Sequence, residues 1–451
     1  MVSPAPLIVI LAAGRGTRMK SALPKVLHRV AGRSMLGHVL ALAEAITDAR
    51  IAVVVGPDMD DVTAEVRRQA PAAEVFIQER QHGTADAVLA ARPAIAAHSG
   101  DVIVLYADTP LIEAATLTAL RASLEAGSAV AVLGFETQDP TGYGRLLTAG
   151  PATLLAIREH KDSSPEERKI TLCNSGVIAF RLPDLLGVLA AIGNGNANGE
   201  YYLTDAVEVA RARGARATVV RCPKDEVLGV NSRGQLAVAE RIWQDRARAV
   251  AMDNGATLVA PETVWFSYDT RIGRDVVIEP HVVFGPGVTV EDGVEIKAFC
   301  HVEGARIGTG ARIGPYARLR PGAALGANVH IGNFVEVKNV TLGAGAKANH
   351  LAYLGDGSVG AGANIGAGTI FCNYDGFFKH RTDIGAGAFI GSNASLVAPV
   401  KIGEGAYVGS GSVITKDVPA GALALERSAQ EERPQWAAKF RAVMARRKAK
   451  A

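Results

Sequence analysis

Residues 271–290 read RIGRDVVIEPHVVFGPGVTV, and in that stretch a large apolar residue returns every six positions, at Ile272, Ile278, Phe284 and Val290. The beat continues through Ile296 and Val302. It resumes at Ile307, Ile313, Leu319, Leu325, Ile331 and Val337, and again at Ile384, Ile390, Leu396, Ile402, Val408 and Ile414. A period of six fits neither an α-helix nor alternating strands of a meander. It fits a parallel β-helix, in which each hexad forms one side of a coil, the aliphatic residue fills a narrow core and glycines turn the corners. The chain therefore divides into a repeat half and a different N-terminal half.

The chain has 451 residues, long enough for two or three domains with their own cores. With 48% hydrophobic and 21% charged residues it belongs with globular proteins and not with disordered chains. The net charge of +3 is too close to balance to imply a nucleic-acid partner. One local bias stands out: between Arg433 and Ala451 there are seven Lys or Arg and no acid. Such a tail could touch anionic lipid or RNA, although the plainer reading is a solvated terminal helix or frayed end. Cys173, Cys222, Cys300 and Cys372 lie far apart with no CxxC pair, which fits reduced thiols in a cytoplasmic protein better than zinc or disulfides. Leu7–Ala13 is short, lacks a basic leader and runs into a glycine-rich turn, so it reads as a buried first strand and not a signal peptide. No segment is long enough to span a membrane.

Through roughly the first 230 residues, strand-like runs (Leu7–Leu11, Ile51–Val55, Val102–Tyr106, Ala129–Phe135) alternate with helical stretches such as Gly37–Ala45 and Asp61–Gln69. That alternation predicts an α/β domain with a mainly parallel sheet covered on both faces and ligands at the C-terminal strand ends. After the first strand comes Gly14-Arg15-Gly16-Thr17-Arg18-Met19, then Pro24-Lys25. The glycines let backbone amides approach phosphate, and Arg18 and Lys25 can neutralise it. The spacing is neither a Walker A loop nor a GxGxxG dinucleotide turn. From Gln235 to Met252 one helix is expected, with Leu236, Ala239, Ile242, Trp243, Ala247 and Val250 near helical spacing.

The string Leu11-x2-Gly14-x-Gly16-Thr17-x-Met19-x4-Pro24-Lys25 resembles the motif of sugar-1-phosphate nucleotidylyltransferases. Gln78 with Gly83-Thr84, Tyr106-Ala107-Asp108, Gly142-Tyr143-Gly144-Arg145, Glu159-His160-Lys161, Asn174-Ser175-Gly176, Glu200-Tyr201-Tyr202-Leu203-Thr204-Asp205 and Gly229-Val230-Asn231 agree with it. Joined to hexapeptide repeats, they resemble the bifunctional N-acetylglucosamine-1-phosphate uridylyltransferase/glucosamine-1-phosphate N-acetyltransferase family, over nearly the whole chain to about Arg427. Ala107 departs from a glycine often found there, and the last ~20 residues carry no family motif.

The resemblance implies a Rossmann-like uridylyltransferase domain over 1–233, a linker helix over 234–254 and a left-handed parallel β-helix acetyltransferase domain over 255–451 that assembles as a homotrimer. It implies synthesis of UDP-N-acetylglucosamine, a precursor of peptidoglycan and lipopolysaccharide, with acetyl-CoA and UTP as co-substrates and Mg2+ as cofactor. Asp108 and Asn231 correspond to the metal positions. Leu11, Ala12, Ala13, Gly14, Lys25, Gln78, Gly83 and Thr84 correspond to nucleotide contacts, and Gly144, Glu159 and Asn174 to sugar contacts.

In the repeat half the pattern carries polar residues between Lys338 and His380. His350 corresponds to the general base, a task that suits imidazole because its pKa lies near neutrality. Arg320 and Lys338 match phosphate-binding positions, and Tyr353 and Asn364 match groups around the amino sugar. Ala367, Asn373, Tyr374, Ser392, Ser410 and Arg427 correspond to acetyl-CoA contacts, with Asn373 a donor to the thioester oxygen and Arg427 placed to reach a neighbouring subunit. Two other readings compete: a single-function nucleotidylyltransferase on a β-helix scaffold, and a silent nucleotide-sugar sensor. The set Lys338, His350, Tyr353 and Asn373-Tyr374 argues against the first, and Asp108 with Asn231 against the second.

Overall fold

The computed structural model describes residues 5–14, 16–181 and 183–449; Arg15 of the glycine-rich string and the last two residues of the basic tail lie outside them. The chain forms two compact units, Met1–Ala249 and Val250–Ala451.

The first unit is built on nine strands: β1 Leu7–Leu11, β2 Arg50–Val55, β3 Glu74–Ile77, β4 Val102–Tyr106, β5 Val130–Glu136, β6 Arg145–Ala149, β7 Thr153–Arg158, β8 Leu172–Phe180 and β9 Ala217–Arg221. Their order is β3-β2-β1-β4-β8-β5-β9-β7-β6. All five residues of β1 are buried because helices cover both faces: Leu7, Val9 and Leu11 pack into one cluster, Ile8 and Ile10 into the other. The sheet is more mixed than the expected mainly parallel one. β3, β2, β1 and β4 run parallel, but β8 is antiparallel to both β4 and β5, and β6 and β7 form an antiparallel pair. Strand direction leaves no mark on an apolar run, which is why periodicity misses the reversal.

The helix Arg233–Asp253 forms as expected, yet its most buried residues are Ala239, Gln244 and Arg248. Gln244 Nε2 donates to Glu240 Oε1 at 2.9 Å and Arg248 pairs with Asp245 at 2.6 Å, so the polar groups enter the interior already bonded. Glu240 Oε2 in turn accepts from the Ala31 amide at 2.7 Å.

The second unit is a parallel β-helix. Ile278 pairs with Ile296, Ile296 with Ile313, Ile313 with Ile331, and Ile390 with Val408, so one turn of coil takes three hexads or one residue fewer. The inward isoleucines are fully buried, each worth roughly 1.5–3 kcal/mol of transfer free energy. One coil is longer: Ile365 pairs with Ile390 and Phe371 with Leu396, twenty-five residues on. The excess lies between the strands Ile370–Cys372 and Thr382–Ile384. The insertion is therefore narrower than the polar stretch Lys338–His380 suggests, since Lys338, His350 and Tyr353 sit on coils of ordinary length, while Asn364 stands where the long coil begins, paired with Lys347 below and Phe389 above.

All four cysteines are free thiols, and burial pushes Cys300 up to about 11 and Cys222 up to about 12, which keeps both protonated and unreactive. Among the described residues no helix is long and apolar enough to cross a membrane.

Candidate active sites

A cleft of about 240 Å³ opens over the C-terminal ends of β1 and β4. Leu11, Ala12, Ala13, Gly14, Lys25, Gln78, Gly83, Thr84 and Asp108 all line it, so nine of the positions expected from sequence converge on one cavity. The Ala107 amide donates to Leu11 O at 3.0 Å and the Ala12 amide to Val54 O at 2.7 Å, which ties the glycine-rich turn to the strands beneath. At Gly83, φ is +123° and an added Cβ would lie 2.5 Å from Tyr201 O, so only glycine fits where the two chains cross. Tyr201 then accepts from the Ala85 amide at 2.9 Å and donates to His82 O at 2.8 Å.

Lys25 occupies the floor. Its ammonium donates to Asp108 Oδ2 at 2.5 Å and to Asn231 Oδ1 at 3.0 Å. The Val230 amide donates to Asp108 O at 2.9 Å, and the Asn231 amide donates to Gln235 Oε1 at 2.8 Å, so Asn231 is positioned by the start of the long helix. Among the described residues no three His, Cys, Asp or Glu side chains group as a metal cage. Mg2+ does not require one, because it prefers one or two protein oxygens plus phosphate and water. Asp108 and Asn231 present two oxygens that already share one cation, and that donor set fits.

Glu159 and Asn174 stand beside this cleft. Burial raises the Glu159 carboxyl above the ordinary range, opposed by the bond from Thr204 Oγ1 at 3.3 Å. The Asn174 amide donates to Gly144 O at 2.8 Å, and Asn174 Oδ1 accepts from the Gly176 amide at 3.0 Å. Tyr106, quoted in the sequence motif but given no role there, is lifted well above the ordinary phenol range by burial and by the charges of Glu159 and Asp108. Gln81 was also missed; it holds Ala13 O through its Nε2 at 2.8 Å.

In the β-helix a second group of polar side chains collects. Asp356, 7% exposed and with φ +54°, accepts from Asn373 Nδ2 at 2.6 Å, Asn339 Nδ2 at 2.8 Å and Lys338 Nζ at 3.2 Å. Burial opposes its ionisation, but the bonds from Asn339, Lys338 and Asn373 outweigh that and keep its pKa lowered. Arg320 Nη1 donates to Glu336 Oε1 at 2.8 Å. Lys338 lies against Lys379: that contact, with Asp356, raises Lys338, while the neighbouring Lys338 lowers Lys379. Arg320, Lys338 and Lys379 thus form a cationic group suited to a phosphate. Glu336, Asp356 and Lys379 escaped sequence reasoning because their partners sit one coil away, or across the inserted loop.

His350 is exposed, and its Nδ1 lies 2.8 Å from Asn333 Oδ1 on the coil below. With Oδ1 accepting, Nδ1 carries the proton and Nε2 keeps its lone pair. Above His350 one edge of the coil continues through Ala367, Ser392 and Ser410, linked by the amides of Gly368, Asn393 and Gly411 donating to His350, Ala367 and Ser392 carbonyls. Asn364 pairs with Lys347 and Phe389 on the adjoining face. Tyr353 OH lies 3.5 Å from Asn373 Nδ2, and Tyr374 OH donates to Gly376 O at 2.6 Å. The Asn373 amide nitrogen, expected to meet a thioester oxygen, is turned inward to Asp356. Arg427 Nη1 donates to Ser410 O of its own chain at 3.0 Å. The inserted loop is clamped by Asp375, which takes the amides of Phe378 and Phe377 at 2.7 and 2.8 Å and His380 Nε2 at 2.7 Å; these bonds hold it down to about 2.

A cleft over the strand ends of one unit and a polar-lined β-helix on the other are the features of a two-domain transferase. The MobA-like NTP transferase domain matches residues 8–171, and the bacterial transferase hexapeptide repeat matches 269–304, 304–339 and 381–416. The chain is 63% identical to the bifunctional protein GlmU of Azorhizobium caulinodans, over 97% of both chains. It is 62% identical to that of Xanthobacter autotrophicus over 98% of both, and 56% identical to that of Bradyrhizobium over 98% of both. A solved UDP-glucose pyrophosphorylase bound to UDP-glucose is a remote likeness at 17% identity and TM-score 0.43, covering 54% of this chain and all of that one. The chain belongs to the family of bifunctional GlmU proteins. With membership go the two activities of UDP-N-acetylglucosamine synthesis, acetyl transfer and uridylyl transfer.

Proposed function

We propose that the cleft over β1 and β4 performs uridylyl transfer and that the coils from Arg320 to Ser410 perform acetyl transfer, the first supplied with the product of the second. The observation that carries the first assignment is Lys25 joining Asp108 to Asn231 inside a cleft lined by the glycine-rich turn. The attacking sugar phosphate is already anionic, so the site needs no base; it must bring two repelling phosphates together and neutralise them. The backbone at Leu11–Gly14 and Lys25 bind the nucleotide phosphates, while Gln78, Gly83 and Thr84 hold the base end and Glu159 and Asn174 the sugar. Asp108 and Asn231 would hold Mg2+, which when bound supplies further positive charge to the phosphates.

In the β-helix, Arg320 and Lys338 receive the phosphate of glucosamine 1-phosphate, with Tyr353 and Asn364 beside the amino sugar. His350 Nε2 takes a proton from the 2-amino group as its nitrogen attacks the thioester carbonyl of acetyl-CoA; the C–S bond then breaks and CoA leaves as the thiol. Ala367, Ser392 and Ser410 share the edge along which an extended acyl carrier would lie, with Tyr374 and Arg427 at its margins. Asn373 can donate to the developing oxyanion once its bond to Asp356 is exchanged.

The enzyme works as a homotrimer in the cytoplasm. An exposed aromatic column on one corner of the coil supports the trimer: Phe299, Tyr316 and Phe334 stack at 4.9 and 5.2 Å between centroids and present an apolar face to a neighbour. Reduced thiols fit the compartment. The test is an assay with glucosamine 1-phosphate, acetyl-CoA, UTP and Mg2+ that follows CoA thiol and pyrophosphate together. Release of both, with pyrophosphate dependent on prior acetylation, is expected. Pyrophosphate from N-acetylglucosamine 1-phosphate without CoA release would reduce the β-helix to a scaffold.

A further inference from the structure

The helix Trp436–Lys448 has no buried residue, and every residue from Leu425 to Ala449 is exposed. Thirteen residues are too few for a stable solitary helix in water, where most helical stability comes from packing one face against something else. The helix nonetheless carries a face to bury. Trp436, Phe440, Val443 and Met444 fall within about 100° of arc at 3.6 residues per turn, and the rings of Trp436 and Phe440 stack at 5.0 Å. Their side chains are 45% to 55% exposed.

The charges flank that face on both sides. Lys439 and Arg446 project along one edge, Arg441 and Lys448 along the other, and Arg447 emerges between the apolar residues on a stem long enough to reach outward. No acid lies between them. A basic last turn alone would be explained by the helix dipole, which favours cations at the C-terminus. Lys439 and Arg441, in the first half, have no such explanation. Nucleic acid would use the cations and leave the Trp-Phe-Val-Met face in water. An apolar face bordered on both edges by cations matches a layer with hydrocarbon below and negative charge at the surface.

We propose that Trp436–Lys448 docks on an anionic lipid surface, with Trp436, Phe440, Val443 and Met444 inserted and the five basic side chains among the headgroups.

The test is flotation of the full chain with phosphatidylglycerol vesicles and with phosphatidylcholine vesicles, alongside amide exchange of residues 436–448. Binding to the first and not the second is expected, weakening with salt. Lys439→Gln and Arg446→Gln should each lower the partition about five-fold. Trp436→Ser with Phe440→Ser should remove it. CoA and pyrophosphate release in solution should be unchanged in these variants, which also shows that they fold. The proposal is overturned by failure to float, by equal binding to neutral vesicles, or by RNA displacing the vesicles. Protection of the helix from exchange without vesicles would also overturn it, because a second copy of the chain would then be the cover.

Discussion

Lys25 Nζ lies 2.5 Å from Asp108 Oδ2 and 3.0 Å from Asn231 Oδ1, so a single ammonium gathers a strand-end carboxylate and an amide 206 positions away in sequence. The three form one charge-compensated unit, and removing any member exposes the others. Asp108→Ala should lower uridylyl transfer by about 10²–10³ and Lys25→Ala by about 10², as for loss of a preorganised charge at a phosphoryl centre. CoA release from the β-helix should stay near the parent rate in both. Parallel loss of CoA release would contradict separate sites.

Asp356 ties Lys338, Asn339 and Asn373 together from a left-handed backbone position. Asp356→Ala should destabilise the β-helix by about 3 kcal/mol, since it strands three donors around a buried vacancy. The folded pKa is lowered, so this contribution is present above the ordinary carboxylate range and is lost as pH falls through the lowered value. Thermal unfolding of parent and variant should therefore converge in acid. A constant difference at every pH would show that the charge is not what matters.

Asn333 fixes the His350 ring from below. His350→Ala should remove acetyl transfer and leave uridylyl transfer intact. Asn333→Ala should slow acetyl transfer by about ten-fold, a part of the 10²–10⁴ that a positioned base supplies. The loss should fall on kcat, with KM for glucosamine 1-phosphate little changed. A KM effect alone would assign Asn333 to binding.

Glu159 holds a raised pKa because it is partly buried. The folded state then keeps the proton to a higher pH than the unfolded chain does. The stabilising contribution is full below the ordinary Glu value and is lost as pH rises through the folded value. Glu159→Gln keeps an acceptor for Thr204 and removes the charge, so its melting temperature should exceed the parent's near pH 7, with the gap closing toward about pH 4.5. The same change should weaken N-acetylglucosamine 1-phosphate binding. Calorimetry at the two pH values decides the first point, and a substrate titration the second.

What could be read from the sequence follows from how local each signal is. The hexads were legible because each inward position of the coil, such as Ile278 or Ile313, must be apolar regardless of its neighbours. The glycine-rich turn was legible because a close backbone approach demands small residues near one another in sequence, and Ala12, Ala13 and Gly14 do line the cleft. Asp356 was not, for it looks like any turn aspartate until Lys338 stacks one coil below and Asn373 one coil above. The antiparallel course of Leu172–Phe180 was equally hidden, since burial on both faces requires the same residues whichever way a strand runs. Gln244 and Arg248 reversed the simple expectation of an apolar helix stripe; each has a partner close by on the same helix, Glu240 and Asp245.

The long coil at Asn373–Arg381 gives the β-helix a modular character. Pairing is regular below it, at Ile296 with Ile313, and regular again above it, at Ile390 with Val408. A whole coil removed from the lower stack would preserve the alignment of every remaining layer, and even the one-residue-shorter turn from Ile296 to Ile313 leaves the next pairing, Ile313 with Ile331, in register. The scaffold can thus lengthen or shorten over evolutionary time in whole storeys, while its chemistry changes at one landing.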